Sequence, residues 1–157
     1  MKLILEKLFE HQTLSKSEAN DILTRIANAE FNDAHIASFM TVFLMRNITL
    51  NEFQGFREAL MDLCVKVDLG GVDTIDVCGT GGDGKNTFNV STLTAFVLAG
   101  AGYKVSKHGN YGVSSVSGSS DVLNFLGYKF TTDNDVLNRQ LDAANICFLH
   151  APLFHPS

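Results

Sequence analysis

Over the first 70 residues, apolar side chains recur three and four positions apart: Leu5, Leu8 and Phe9; Ala19, Ile22, Leu23 and Ile26; Ile36, Phe39 and Phe43; Phe53, Phe56, Leu60 and Leu63. That spacing lines one face of a helix and predicts an amphipathic bundle over residues 1–70. Helix starts are legible as well. Ser15 with Glu18 and Thr49 with Glu52 have the capping-box spacing, and Asn32 and Asp33 can cap the helix between them. After Gly70-Gly71 the pattern changes to short β-type runs, Thr74–Cys78, Tyr103–Lys107, Tyr128–Phe130 and Ile146–His150, separated by helical stretches near 91–101, 119–126 and 133–144. This alternation predicts an α/β domain over 71–157, a mainly parallel sheet with flanking helices. So few strands leave the sheet incomplete, and the domain is expected to be truncated.

Composition narrows the function classes. The 157 residues are 45% hydrophobic and 18% charged, which is globular, and the net charge of −5 excludes the basic footprint of a nucleic-acid binder. Cys64, Cys78 and Cys147 show no metal-ligand spacing and read as reduced thiols of a cytoplasmic protein. The N-terminal Leu3-Ile4-Leu5 is broken by Glu6 and Lys7, too short for a signal core or a membrane span. A soluble protein with no membrane partner is expected.

The candidate chemistry starts at Asp76–Ser91, DVCGTGGDGKNTFNVS, a glycine loop between an expected strand and an expected helix. Such a loop lets backbone N–H groups close on an anion, and the first helical turn adds partial positive charge. Gly79, Gly81 and Gly84 satisfy the dinucleotide glycine spacing, but KNTFNV intervenes before the helix and Lys107 ends the next strand, where an acidic residue belongs. Gly79–Lys85 also matches a nucleotide-triphosphate loop, except that Asn86 replaces the Ser or Thr that binds Mg²⁺. Asp83 would repel a bare phosphate, so a sugar phosphate carried with Mg²⁺ fits better. Mg²⁺ takes few protein oxygens, and the Ser91 hydroxyl can be one of them.

A second loop, KVSKHGNYGVSSVSGSSDVLNFLG, repeats the arrangement after the next strand. Lys107 offers a point charge, Gly109 and Gly112 free the backbone, and Ser114, Ser115, Ser117, Ser119 and Ser120 offer hydroxyls before a helix. Two loops leaving neighbouring parallel strands open on one crevice.

GTGGDG, NVST, KHGN and SGSSDVLNFLG, in this order, together with an AP..HP segment near Ser157, resemble the anthranilate phosphoribosyltransferase family. The resemblance extends over the whole chain. It implies transfer of the phosphoribosyl group of 5-phosphoribosyl 1-diphosphate to the amine of anthranilate, with Mg²⁺, in tryptophan biosynthesis. It also implies that Gly79, Gly82, Asp83, Thr87, Asn89, Val90, Ser91 and Thr92 hold the phosphoribosyl diphosphate, with Ser91 touching Mg²⁺. Lys107, His108, Gly109, Asn110, Ser115 and Ser119 would complete that site, Lys107 stabilising the leaving group. Gly79 and Asn110 would border anthranilate, and Pro152 and His155 would lie at its access region. A homodimer through the helical domain is implied too.

One departure is Tyr111, which follows KHGN where many members have Arg. Members of this family are also longer, and the resemblance implies a further part carrying an acidic pair for a second Mg²⁺ and an Arg for anthranilate. A pyrimidine nucleoside phosphorylase relative shares the architecture, although KHGN speaks against it. A non-catalytic ligand-binding or dimerisation module is the third reading.

Overall fold

A computed structural model describes residues 1–79, 88–112 and 117–155 of the chain, which divides into two compact units, Met1–Cys64 and Val65–Pro156. The first unit is helical: α1 (Lys2–Phe9), α2 (Lys16–Ala27), α3 (Asp33–Met45) and α4 (Leu50–Leu63). Both capping boxes form, at Ser15 with Glu18 and at Thr49 with Glu52, and the Asn32 side chain caps α3 by accepting the His35 N–H at 2.9 Å. Leu5, Leu8, Leu14, Ala19, Ile22 and Phe39 make the core, with Phe43 and Phe56 packed edge to face against Phe39 and each other.

Two features fix the packing of α2 on α4. Gly55 lies against the Lys16 carbonyl oxygen, and a Cβ there would also stand 2.7 Å from the Ala19 Cβ. Glu52 is fully buried, and its carboxylate accepts from Leu14 N at 2.9 Å, Thr49 N at 2.8 Å and Arg46 Nη2 at 2.5 Å. Burial alone would raise its pKa, but Arg46 and these N–H donors reverse that and hold it at about 2.

The second unit runs α5 (Val90–Gly100), β1 (Val105–Gly109), α6 (Ser119–Phe125), α7 (Asn134–Ala144), β2 (Ile146–His150) and α8 (Ala151–Phe154). β1 and β2 pair in parallel, from Val105 opposite Ile146 to Gly109 opposite His150. Alternation along β2 separates two cores. Ile146 and Phe148 join Ala95, Ala99, Val105 and Leu123, whereas Cys147 and Leu149 join Leu137, Leu141 and Phe154. Burial pushes the Cys147 thiol up to about 11.

The expected α/β order holds with three differences in the strands. Thr74–Cys78 reduces to one parallel bridge, Ile75 to Val105, because side chains make the neighbouring links: Thr74 Oγ1 meets Ser106 Oγ at 2.7 Å, and the Asp76 carboxylate takes the His108 N–H at 3.2 Å. The strand expected at 103–107 begins two residues later, since the Tyr103 N–H still closes the end of α5 on Leu98 O at 3.1 Å. Tyr128–Phe130 forms no strand. Its rings instead cover the sheet, with Tyr128 5.0 Å from Phe148 and its hydroxyl donating to Gln140 Oε1 at 2.7 Å. Among the described residues, no helix is long and apolar enough to cross a membrane.

Candidate functional site

The parallel run of Ile75 beside β1, and of β1 beside β2, brings three connections out at one end of the sheet. Gly79 follows the first, Asn110 the second and α8 the third. That is the carboxyl end, where ligands bind in sheets of this type.

At the first connection, Gly79 faces the start of α5. A Cβ on Gly79 would lie 2.9 Å from Ser91 Oγ, so glycine lets the backbone approach that hydroxyl. The Asn89 side chain caps the helix, its Oδ1 accepting from Thr92 N at 3.2 Å and from Thr92 Oγ1 at 2.8 Å. Asn89 and Thr92 thereby engage each other, whereas Ser91 Oγ has no hydrogen-bond partner among the described residues. Val90 is exposed at the first helical position. Gly82, Asp83 and Thr87 lie outside the described residues, as does Ser115 of the second loop.

At the second connection, Lys107 is buried at 2% exposure and its Nζ donates to the His108 carbonyl at 2.8 Å. Burial lowers the ammonium's pKa, opposed by the nearby Cys78 and Asp76. His108 is held by Asp76 alone among the described carboxylates, its Nδ1 lying 2.9 Å from Oδ2. Gly109 packs directly on Ser119 Oγ, and a Cβ there would also stand 3.6 Å from Ser120 Oγ.

Beyond it, the Asn110 carbonyl accepts from Ser120 N at 3.1 Å and from Ser119 Oγ at 3.5 Å, and Asn110 Oδ1 accepts the Tyr111 N–H at 2.8 Å. Nδ2 of Asn110 is left as a donor with no partner among the described residues. The two sides of the loop are drawn together by Asp121, whose Oδ2 accepts from Gly112 N at 2.9 Å and Gly118 N at 2.7 Å. Those two N–H groups lower the carboxyl pKa. Pro152 and His155 are exposed on and just after α8, and His155 N donates to Ala151 O at 2.9 Å.

The helical bundle domain of a glycosyl transferase family matches residues 2–64, and the α/β domain of the same family matches residues 71–157. The chain belongs to this glycosyl transferase family.

Among its relatives, anthranilate phosphoribosyltransferase of Flavobacterium psychrophilum is 61% identical over 157 residues, covering 100% of this chain and 48% of that protein. The enzyme of the same name from Bacteroides fragilis is 57% identical over 157 residues, covering 100% of this chain and 47% of that protein. The chain therefore spans about half the length of these relatives. Two solved structures share the fold. Anthranilate phosphoribosyltransferase from Thermus thermophilus superposes with a TM-score of 0.83 at 29% identity, covering 97% of this chain and 46% of that one. The Saccharomyces cerevisiae enzyme, solved in complex with PRPP and Mg, gives 0.82 at 30% identity, with the same coverage of 97% and 46%.

Of the residues singled out in the sequence, the fold brings Gly79 to Ser91, and Gly109 and Asn110 to Ser119. Sequence reasoning left Asp76, Asp121 and His150 without roles. Asp121 carried a signal, since Gly118 and Asp121 have the spacing of a cap and its third helical residue. Asp76 carried none beyond its place ahead of the glycine loop, because its partner lies 32 residues away.

Proposed function

We propose that the chain carries the phosphoribosyl diphosphate-binding part of an anthranilate phosphoribosyltransferase, which joins the amine of anthranilate to the ribose carbon and releases diphosphate. The observation that carries this reading is that the Gly79–Ser91 and Gly109–Ser119 contacts both lie at the carboxyl end of parallel-paired segments, in a chain 61% identical to an enzyme of that name.

Displacement at the anomeric carbon builds positive charge on the sugar and negative charge on the leaving diphosphate, so the protein's task is alignment and electrostatic stabilisation. Backbone N–H groups near Gly79, the N-terminus of α5 and the Asn110 Nδ2 donor meet anionic oxygens. Lys107 contributes positive charge from behind the His108 carbonyl. Gly82, Asp83, Thr87 and Ser115 belong to the same ligand by their positions in the sequence. The amine of anthranilate is already unprotonated at neutral pH, so no strong base is demanded. Asn110 borders it, with Pro152 and His155 on its approach.

The donor set fits Mg²⁺: the Ser91 hydroxyl is a single hard oxygen without another partner among the described residues, and the rest of the ligand shell suits diphosphate oxygens and water. When bound, Mg²⁺ supplies neutralisation of the diphosphate charge. The helical unit exposes Met40, Leu44, Met45 and Phe53, which supports a homodimer through that unit. The thiol state of Cys64, Cys78 and Cys147 agrees with a cytoplasmic protein.

The test is anthranilate fluorescence in the full-length protein. Addition of 5-phosphoribosyl 1-diphosphate and Mg²⁺ should quench it with time. Unchanged fluorescence, with phosphate-dependent release of base from uridine, would replace this reading with a nucleoside phosphorylase.

A further inference from the structure

We propose that Tyr111 and His150 form a positioning pair that holds the Asn110 side chain at the carboxyl end of the sheet. His150 ends β2 directly opposite Gly109, one residue before Asn110. It is 4% exposed, and its Nδ1 lies 2.8 Å from the hydroxyl of Ser120, itself 1% exposed. Ser120 in turn donates its backbone N–H to the Asn110 carbonyl at 3.1 Å. One path therefore runs from the imidazole to Asn110 through a buried hydroxyl residue.

Tyr111 makes the second path. Its ring stands edge-on to His150 at 4.7 Å and 78°, while Phe130 stacks on the imidazole at 4.5 Å and 23°. The Tyr111 hydroxyl accepts from Asn124 Nδ2 at 3.2 Å, which ties the ring to α6, and the Tyr111 N–H donates to Asn110 Oδ1 at 2.8 Å. Both oxygens of Asn110 are thus claimed by partners that the pair anchors. What remains is the Nδ2 donor, fixed in direction and fit for an oxygen of an anionic ligand.

Generic packing does not require this arrangement. A buried imidazole nitrogen needs a hydrogen bond to offset its lost hydration, and here the bond goes to Ser120, which also holds the Asn110 carbonyl through its backbone N–H. The pair matters to function if Asn110 meets the diphosphate substrate, as proposed above.

The experiment is calorimetric titration of 5-phosphoribosyl 1-diphosphate with Mg²⁺ into the full-length protein and into Tyr111→Ala, Tyr111→Phe, His150→Ala and His150→Phe. Tyr111→Ala and His150→Ala should weaken binding about tenfold or more, the scale of a misplaced positioning group. Tyr111→Phe keeps the ring and should recover most of the loss. His150→Phe keeps the stack, loses the Ser120 bond, and should still bind about threefold or more weakly. Leu141→Ala, in the core on the other face of the sheet, should lower the melting temperature as much while leaving the Kd unchanged. Wild-type Kd in both Tyr111→Ala and His150→Phe would overturn this inference alone. Wild-type protein that binds no phosphoribosyl diphosphate would take down the functional reading and this inference with it.

Discussion

Asp76 holds His108 twice, accepting its backbone N–H on Oδ1 at 3.2 Å and facing its Nδ1 with Oδ2 at 2.9 Å. The pair stands where a further ladder bond between the chain at Ile75 and β1 would otherwise form. A carboxylate thus replaces backbone pairing toward the carboxyl end of the sheet, and it sets the direction of the imidazole.

Removing that carboxylate should loosen both bonds. Because the two side chains are 40% and 38% exposed, the stability cost of Asp76→Ala is expected to be only about 1 kcal/mol, read as a lower urea midpoint. Asp76→Asn keeps an acceptor for the His108 N–H and should lose less. Equal losses in the two variants would show that the backbone bond contributes nothing.

Gly109 makes a sharper prediction. Gly109→Ala drives a methyl group into the Ser119 hydroxyl and should destabilise the α/β unit by about 1–3 kcal/mol, the usual range for overpacking. Adding Ser119→Ala removes the offending oxygen and leaves a Cβ at an ordinary 3.5 Å, so the double variant should regain most of the loss. A double variant no more stable than Gly109→Ala would mean that the close contact is not the cause.

The helical unit should show acid sensitivity traceable to Glu52. Its folded pKa of about 2 lies below the ordinary value of 4.5, so its contribution is fully present above about 4.5 and is lost as the pH falls toward 2. Full loss is worth about 3 kcal/mol on this shift. Glu18 is also held at about 2, by the Lys7 side chain and the Ser15 N–H, but it is more exposed and solvent screening reduces its share. Urea unfolding of Glu52→Gln from pH 6 down to pH 2 should give a flatter curve than wild type. Parallel curves would remove Glu52 as the source.

How legible all this was in the sequence depended on whether a residue's partner was local. The helices of the first unit could be read because Ser15–Glu18 and Thr49–Glu52 are caps three residues apart, and because Phe39, Phe43 and Phe56 fall on helical spacing. The same periodicity could not show that Gly55 admits the Lys16 carbonyl or that Glu52 is buried on Arg46. In the second unit, Tyr128 and Phe130 have strand composition, yet their rings are taken up by Phe148 and His150. At the site, the glycines announced close approach, and Gly79 and Gly109 do meet Ser91 and Ser119. Lys107 read as an open charge, but β1 is buried on both faces at this point and the Lys107 ammonium turns to the His108 carbonyl.

The most direct measurement is calorimetric titration of 5-phosphoribosyl 1-diphosphate into the full-length protein, with and without Mg²⁺, beside the Ser91→Ala variant. Saturable binding is expected at one site per chain, dependent on Mg²⁺ and about tenfold weaker in Ser91→Ala, a loss of about 1.4 kcal/mol. No saturable heat with Mg²⁺ present, or binding indifferent to both Mg²⁺ and Ser91, would contradict the proposed function.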